Sequence, residues 1–197
     1  MKNQQTEAPL EHYRGKYRDM NPYTASARTG VEFSGEFALR WLGKDVRVQH
    51  PEFRAVYADG EKPLSDTEQI LLIRYLLEGA LAESRGFVSY SEIPWGDVYL
   101  ANFKGRCLKR LAYGFGFDLE RFKRAAASLG GVLGHGGNAS ADIELLDGFV
   151  IRAIIWAGDD EFPPNAQILF SDNFPLAFTA EDIAAIGDVL ISTLKKV

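Results

Sequence analysis

Two apolar runs, residues 142–146 and 149–156, are separated only by Asp147-Gly148. Asp-Gly between such runs is a strong hairpin signal, because a two-residue turn needs positive φ and glycine supplies it without a steric penalty. The C-terminal half therefore contains an antiparallel pair. In the first strand Ile143 and Leu145 share one face, while Asp142 and Glu144 share the other. The second strand is apolar on both faces except at Arg152, which predicts a central strand covered on both sides.

That second strand opens the stretch FVIRAIIWAGDDEFPPNAQILF, residues 149–170. It ends in Trp156, passes through Asp159, Asp160 and Glu161, crosses Pro163-Pro164 and resumes as a strand over 167–170. The prolines fix the backbone and push Phe162 toward extended geometry. The stretch reads as a stiff connection between two strands and as one wall of a site.

Elsewhere the period of the apolar residues assigns the elements. Residues 1–8 are polar and read as frayed; 9–20 form a short helix weakened by Gly15; 21–30 read as a connector. Val31, Phe33, Phe37, Leu39 and Trp41 alternate, with a bend or break at Gly35, and 46–48 and 53–57 complete a meander. Residues 63–82 form a helix opened by a Ser65/Glu68 capping box. Residues 86–99 are extended and turn at Pro94-Trp95-Gly96, with Asp97 capping the helix that follows. Residues 113–117 are a glycine-rich aromatic loop, 118–129 a helix capped by Asp118, and 134–141 a second glycine-rich loop. A last helix spans 180–195 behind Thr179. Strands grouped between helices, without βαβ alternation, give an α+β fold: antiparallel sheet or sheets packed with about four to five helices. Residues 1–25 read as an N-terminal extension and 26–197 as one α+β domain.

A net charge of -5 and a pI near 5.3 disfavour a general affinity for nucleic acid or anionic membrane. Cys107 is the only cysteine, so no intrachain disulfide and no cysteine-held metal cluster can form. No apolar run approaches the ~20 residues of a membrane span, and the N-terminus lacks a signal-like core. The expected location is the cytoplasm.

Three segments carry candidate chemistry. Asp159, Asp160 and Glu161 lie beside Trp156, but magnesium or calcium needs ~6 oxygens, and adjacent acids do not all point one way. The alternative is a solvated acidic turn with Phe162 folded back as a plug. Gly134-His135-Gly136-Gly137-Asn138-Ala139 fits G-x-G-x-x-A literally, yet a helix precedes it and a strand follows, the reverse of what dinucleotide binding requires. His135 could serve as a base or ligand there. Glu92, Trp95, Asp97 and Tyr99 surround a tight turn, either as a pocket wall or as a loop anchored by Trp95 and capped by Asp97. Cys107, His12 and His50 have no partner at a recognisable spacing.

Three segments, LSDTEQILLIRYLLEGA, SYSEIPWGDVYLANF and IIWAGDDEFPPNAQILFSDNFPLAFTAEDIAAI, together resemble the uncharacterised bacterial and archaeal family classed as domain of unknown function 3786. The resemblance covers roughly residues 30–190, and its most specific part is a tryptophan followed by D-x-E-F-P-P and L-F. It implies no assigned activity. Relatives with an added cysteine-rich iron–sulfur segment imply redox or metallocofactor metabolism, and this chain departs from them because Cys107 stands alone.

The expectation is a domain that binds a small ligand or metallocofactor in a cleft near the acidic loop, with residues 92–99 and His135 alongside. A metal-dependent hydrolase would need Asp159 and Glu161 as ligands and His135 as base. A non-catalytic accessory module would expose a patch around Phe162, Phe174 and Phe178. Neither a cofactor nor an oligomeric state follows from the residues themselves.

Overall fold

The computed structural model describes the backbone of residues 4–60 and 62–197 and the side chains of 10–60 and 62–197. The chain opens with helix α1 (Gln4–Asp19), longer than the sequence predicts, since residues 4–8 are helical; residues 1–3 lie outside the described residues. α1 packs along helix α3 (Asp66–Glu78) and buries Tyr17 completely. The Tyr17 hydroxyl donates to the Gln49 carbonyl at 3.1 Å, which ties the helix to the first sheet. The expected connector at 21–30 is instead helix α2 (Pro22–Thr29). Asn21 accepts from the amides of Tyr23 and Thr24, Pro22 occupies the first turn, and Gly30 ends the helix in left-handed backbone. Residues that favour loops by composition here serve as start and stop signals.

The meander forms as predicted, with strands β1 (Glu32–Phe33), β2 (Glu36–Trp41), β3 (Lys44–Gln49) and β4 (Arg54–Tyr57) in that spatial order, all antiparallel. The chain breaks around Gly35 into two strands. Glu68 fastens α3 to this sheet. One of its oxygens accepts from the Ser65 amide to close the capping box, and the other accepts from Trp41 Nε1 at 3.1 Å and the Tyr57 hydroxyl at 3.0 Å. The α3 helix stops at Glu78, short of the predicted residue 82, where the Arg28 guanidinium takes the carbonyls of Leu76, Leu77 and Gly79.

The second sheet has five antiparallel strands in the order β5-β9-β8-β7-β6: β5 (Phe87–Ser89), β6 (Val132–Gly134), β7 (Ala139–Leu146), β8 (Phe149–Trp156) and β9 (Asn165–Ser171). Asp147-Gly148 turns β7 into β8, with Gly148 at φ 84. The glycine-rich stretch contributes more than a loop, since residues 132–134 form an edge strand and β7 begins at Ala139. Helix α4 (Gly96–Phe103) continues through a π-helical segment, Lys104–Lys109, into α5 (Arg110–Phe115). These, with α6 (Leu119–Ser128) and α7 (Ala180–Leu194), cover the face formed by Ile143, Phe149, Ile151, Ile155, Ile168 and Phe170, all buried. The architecture is α+β.

Among the described residues no second layer covers the opposite face of β8, contrary to the prediction of a strand sandwiched on both sides. Arg152 on that face forms two 2.7 Å hydrogen bonds to Asp142 and lies 4.0 Å over the Phe87 ring. Side-chain clasps and a loop over Ile154 provide the burial that the apolar composition suggested. Among the described residues no helix is long and apolar enough to cross a membrane.

Candidate functional site

The acidic loop joins β8 to β9. Asp159 Oδ1 accepts from the amides of Glu161 at 2.9 Å and Phe162 at 2.7 Å, while its own amide donates to the Phe162 carbonyl at 2.9 Å. One of the three carboxylates thus closes its own turn, a common use of aspartate. Asp160 and Glu161 are exposed. Pro164 is buried and acts as a wedge, because the Gly158 amide donates to the Gly116 carbonyl at 3.2 Å and brings two backbones together. A Cβ on Gly158 would lie 2.6 Å from Pro164 Cδ and 2.8 Å from Phe117 Cε1, and one on Gly116 would collide with Pro164. Glycine at both positions permits the contact.

The loop is therefore clamped to residues 113–117, and its phenylalanine is no plug. Phe162 is 66% exposed and Phe117 is 68% exposed. Phe174 and Phe178, grouped with Phe162 in the sequence reading, are instead core residues that pack around Phe149. Sequence reasoning missed Phe117 as a partner of the loop. Residues 113–115, predicted as loop, end helix α5, and of the two rings in G-F-G-F Phe115 is buried against Phe122 while Phe117, just past the helix, is exposed.

The second glycine-rich loop reaches the same end of the sheet. Gly136 and Gly137 lie over Ile154, and the Gly136 amide donates to Ser140 Oγ at 2.9 Å. Asn138 donates its amide to the Ile155 carbonyl and accepts the Ala157 amide on Oδ1, both at 2.9 Å. Trp156, the acidic loop and the loop bearing His135 are thus brought to one rim, with His135 exposed. They do not form a metal site: among the described residues no three His, Cys, Asp or Glu side chains gather around one point. The proposed set of Asp159, Glu161 and His135 does not assemble. Cys107 belongs to neither loop. It is buried on the helical side of the sheet, where Sγ donates to the Ala184 carbonyl at 3.6 Å and burial raises its pKa to about 11.

Residues 92–99 lie apart from this rim. Glu92 accepts from the Ser89 hydroxyl and amide, both at 2.7 Å, and these bonds hold its carboxyl below the usual range. It caps the short 3₁₀ turn Tyr90–Glu92. Ile93, not Trp95, anchors the turn in the core, while Trp95 and Tyr99 face solvent. Asp97 sits in the first turn of α4 but is not its cap, because Trp95 occupies that position without a side-chain hydrogen bond. Trp95 lines a groove with Pro175, Leu176 and Phe178, which follow the far end of β9 from the acidic loop. Seven residues of strand separate those ends by roughly 20 Å. The nine candidate residues fall into two separate places: Trp156, His135, Asp159, Asp160 and Glu161 at one, and Glu92, Trp95, Asp97 and Tyr99 at the other.

The family model described as Domain of unknown function (DUF3786) matches residues 21–193. No curated protein and no solved structure matches the chain.

Proposed function

The chain belongs to the family Domain of unknown function (DUF3786), whose description names no activity, and we propose that it is a non-catalytic interaction module docking a basic, apolar segment of a partner protein. One observation carries this reading. Phe117 and Phe162 are both largely exposed, one on the turn that ends α5 and the other on the loop clamped to it, beside Asp160 and Glu161. Exposed large apolar side chains are ordinary when scattered; here the two rings stand on segments joined by a backbone hydrogen bond and close packing, which lowers the ordering cost of binding. Aromatic anchors with charges at the rim are the usual composition of a recognition patch. The neighbouring carboxylates and the net charge of -5 select a cationic partner and disfavour nucleic acid.

The acid–base readings lose support because Asp159 is committed to its own turn and Cys107 is buried. A cytoplasmic location belongs to the same proposal, since a lone reduced thiol suits a reducing compartment. The test is titration with two synthetic peptides of equal apolar content, one carrying lysines and one glutamates. The lysine peptide should bind, weaken as salt rises, and lose most of its affinity to Phe117→Ala and Phe162→Ala. Equal binding of both peptides, or binding indifferent to those substitutions, would overturn the proposal.

A further inference from the structure

The turn at residues 93–96 breaks a local rule. The Gly96 amide donates to the Ile93 carbonyl at 2.8 Å, Pro94 stands second, and Trp95 stands third with φ 68 and ψ 5. This is a type II turn, whose third position calls for glycine because its positive φ crowds a Cβ. Tryptophan occupies it and is 79% exposed, so neither backbone preference nor burial accounts for the residue. It instead lines an open groove of about 310 Å³. Pro94, Pro175, Leu176 and Phe178 supply apolar walls, with Leu176 58% exposed.

The charges in the groove decide what it suits. Arg74, Glu78 and Asp182 line it. Arg74 Nη1 lies 2.7 Å from Asp182 Oδ1, and the second oxygen of Asp182 accepts from the Thr179 amide and hydroxyl. That pair carries no net charge, although Arg74 Nε is buried without a hydrogen-bond partner. Arg28, the other cation near the end of α3, is held on three backbone carbonyls and does not line the groove. Glu78 is exposed and is the lining charge left over after the Arg74–Asp182 pair. It sits at the C-terminal end of α3, whose last carbonyls are capped by Arg28. A π face beside a carboxylate, with apolar walls, complements a cation whose charge sits on a hydrophobic body.

We propose that the groove beneath Trp95 is a binding site for a small organic cation, such as a quaternary or aryl-alkyl ammonium, stacked on the indole and paired with Glu78. The site is separate from the Phe117–Phe162 rim and needs no residue of it.

The experiment uses the full chain labelled with ¹⁵N and follows the indole N–H of Trp95, assigned by its loss in Trp95→Gly. Benzyltrimethylammonium, benzyl alcohol and benzoate are the cationic, neutral and anionic probes. The cation should shift the signal saturably, and benzoate should not. Glu78→Gln should weaken the cation about 2- to 5-fold, the range of an exposed ion pair. Trp95→Gly should weaken it about 2- to 5-fold, read from neighbouring backbone amides. Because glycine suits the turn, that variant should melt at the same temperature or higher, which separates lost binding from lost folding. Phe117→Ala and Phe162→Ala should leave cation affinity unchanged. The proposal is overturned if benzoate binds as well as the cation, or if no probe gives a saturable shift. Retained affinity in Trp95→Gly would also overturn it, as would movement of the signal with protein concentration alone, which would assign the groove to a second copy of the chain.

Discussion

Arg74 and Asp182 stand 108 residues apart in sequence and 2.7 Å apart in space, one on α3 and the other in the first turn of α7. Asp182 is mostly buried and serves twice, as partner of Arg74 and as the reciprocal residue of the Thr179 capping box. Asp182→Ala removes both functions and should lower stability by about 2–3 kcal/mol in urea titration, combining a lost cap with a broken, partly buried pair. Arg74→Ala should cost less, because Asp182 keeps its bonds to Thr179. An equal loss in the two variants would show that the pair, not the cap, dominates.

Asp172 clasps the start of β5 to the end of β9. Its Oδ1 accepts from the Arg85 amide at 3.0 Å and the Ser84 hydroxyl at 2.8 Å, and these bonds lower its pKa below the ordinary value. A depressed folded pKa means the carboxylate form is favoured by folding. Its contribution is complete above the ordinary aspartate pKa and is lost as pH falls through the lower, folded value. Asp172→Asn should therefore melt lower than wild type at neutral pH, with the gap closing below about pH 4. A gap that stays constant down to that pH would mean that hydrogen-bond geometry, not charge, is responsible.

Cys107 lies against Gly187, whose added Cβ would come within 3.0 Å of the sulfur. With a pKa near 11, roughly one thiol in ten thousand is ionised at pH 7. Native protein should react with a disulfide reagent only at its opening rate, and one equivalent should react at once in concentrated urea. Fast labelling of the native state would place the thiol in a reachable cleft and reopen its pairing with another residue.

The parts of this fold legible in the sequence are those where one local signal acts alone. Asp147-Gly148 announced its hairpin through the φ that glycine allows, and Ser65/Glu68 and Thr179 announced their helices because each cap satisfies orphan backbone groups within four residues. What was not legible depends on non-local contact. Helix α2 rests on Asn21, Pro22 and Gly30, which composition alone assigns to a loop, and β6 is a strand only because β7 pairs with it. The candidate residues were partly found by type and mostly misplaced by neighbourhood. Trp95 was noticed as an anchor and is instead exposed, since sequence cannot tell which of Ile93 and Trp95 points inward. Asp159-Asp160-Glu161 was noticed as a cluster, yet the turn that consumes Asp159 shows only in the hydrogen bonds of Glu161 and Phe162.

Whether the acidic loop is held for function or for stability can be separated at the clamp. Gly116→Ala drives a methyl group into Pro164 and the Ala112 carbonyl, two groups with no free rotor to yield. Overpacking of this kind costs about 1–3 kcal/mol. Phe162→Ala removes an exposed ring and should stay within about 0.5 kcal/mol of wild type. If the rim is a docking surface, lysine-peptide binding should fall in both variants, through a displaced loop in the first and a missing ring in the second. If the loop is merely structural, Gly116→Ala alone should show a phenotype, visible as a lower urea midpoint with unchanged peptide affinity.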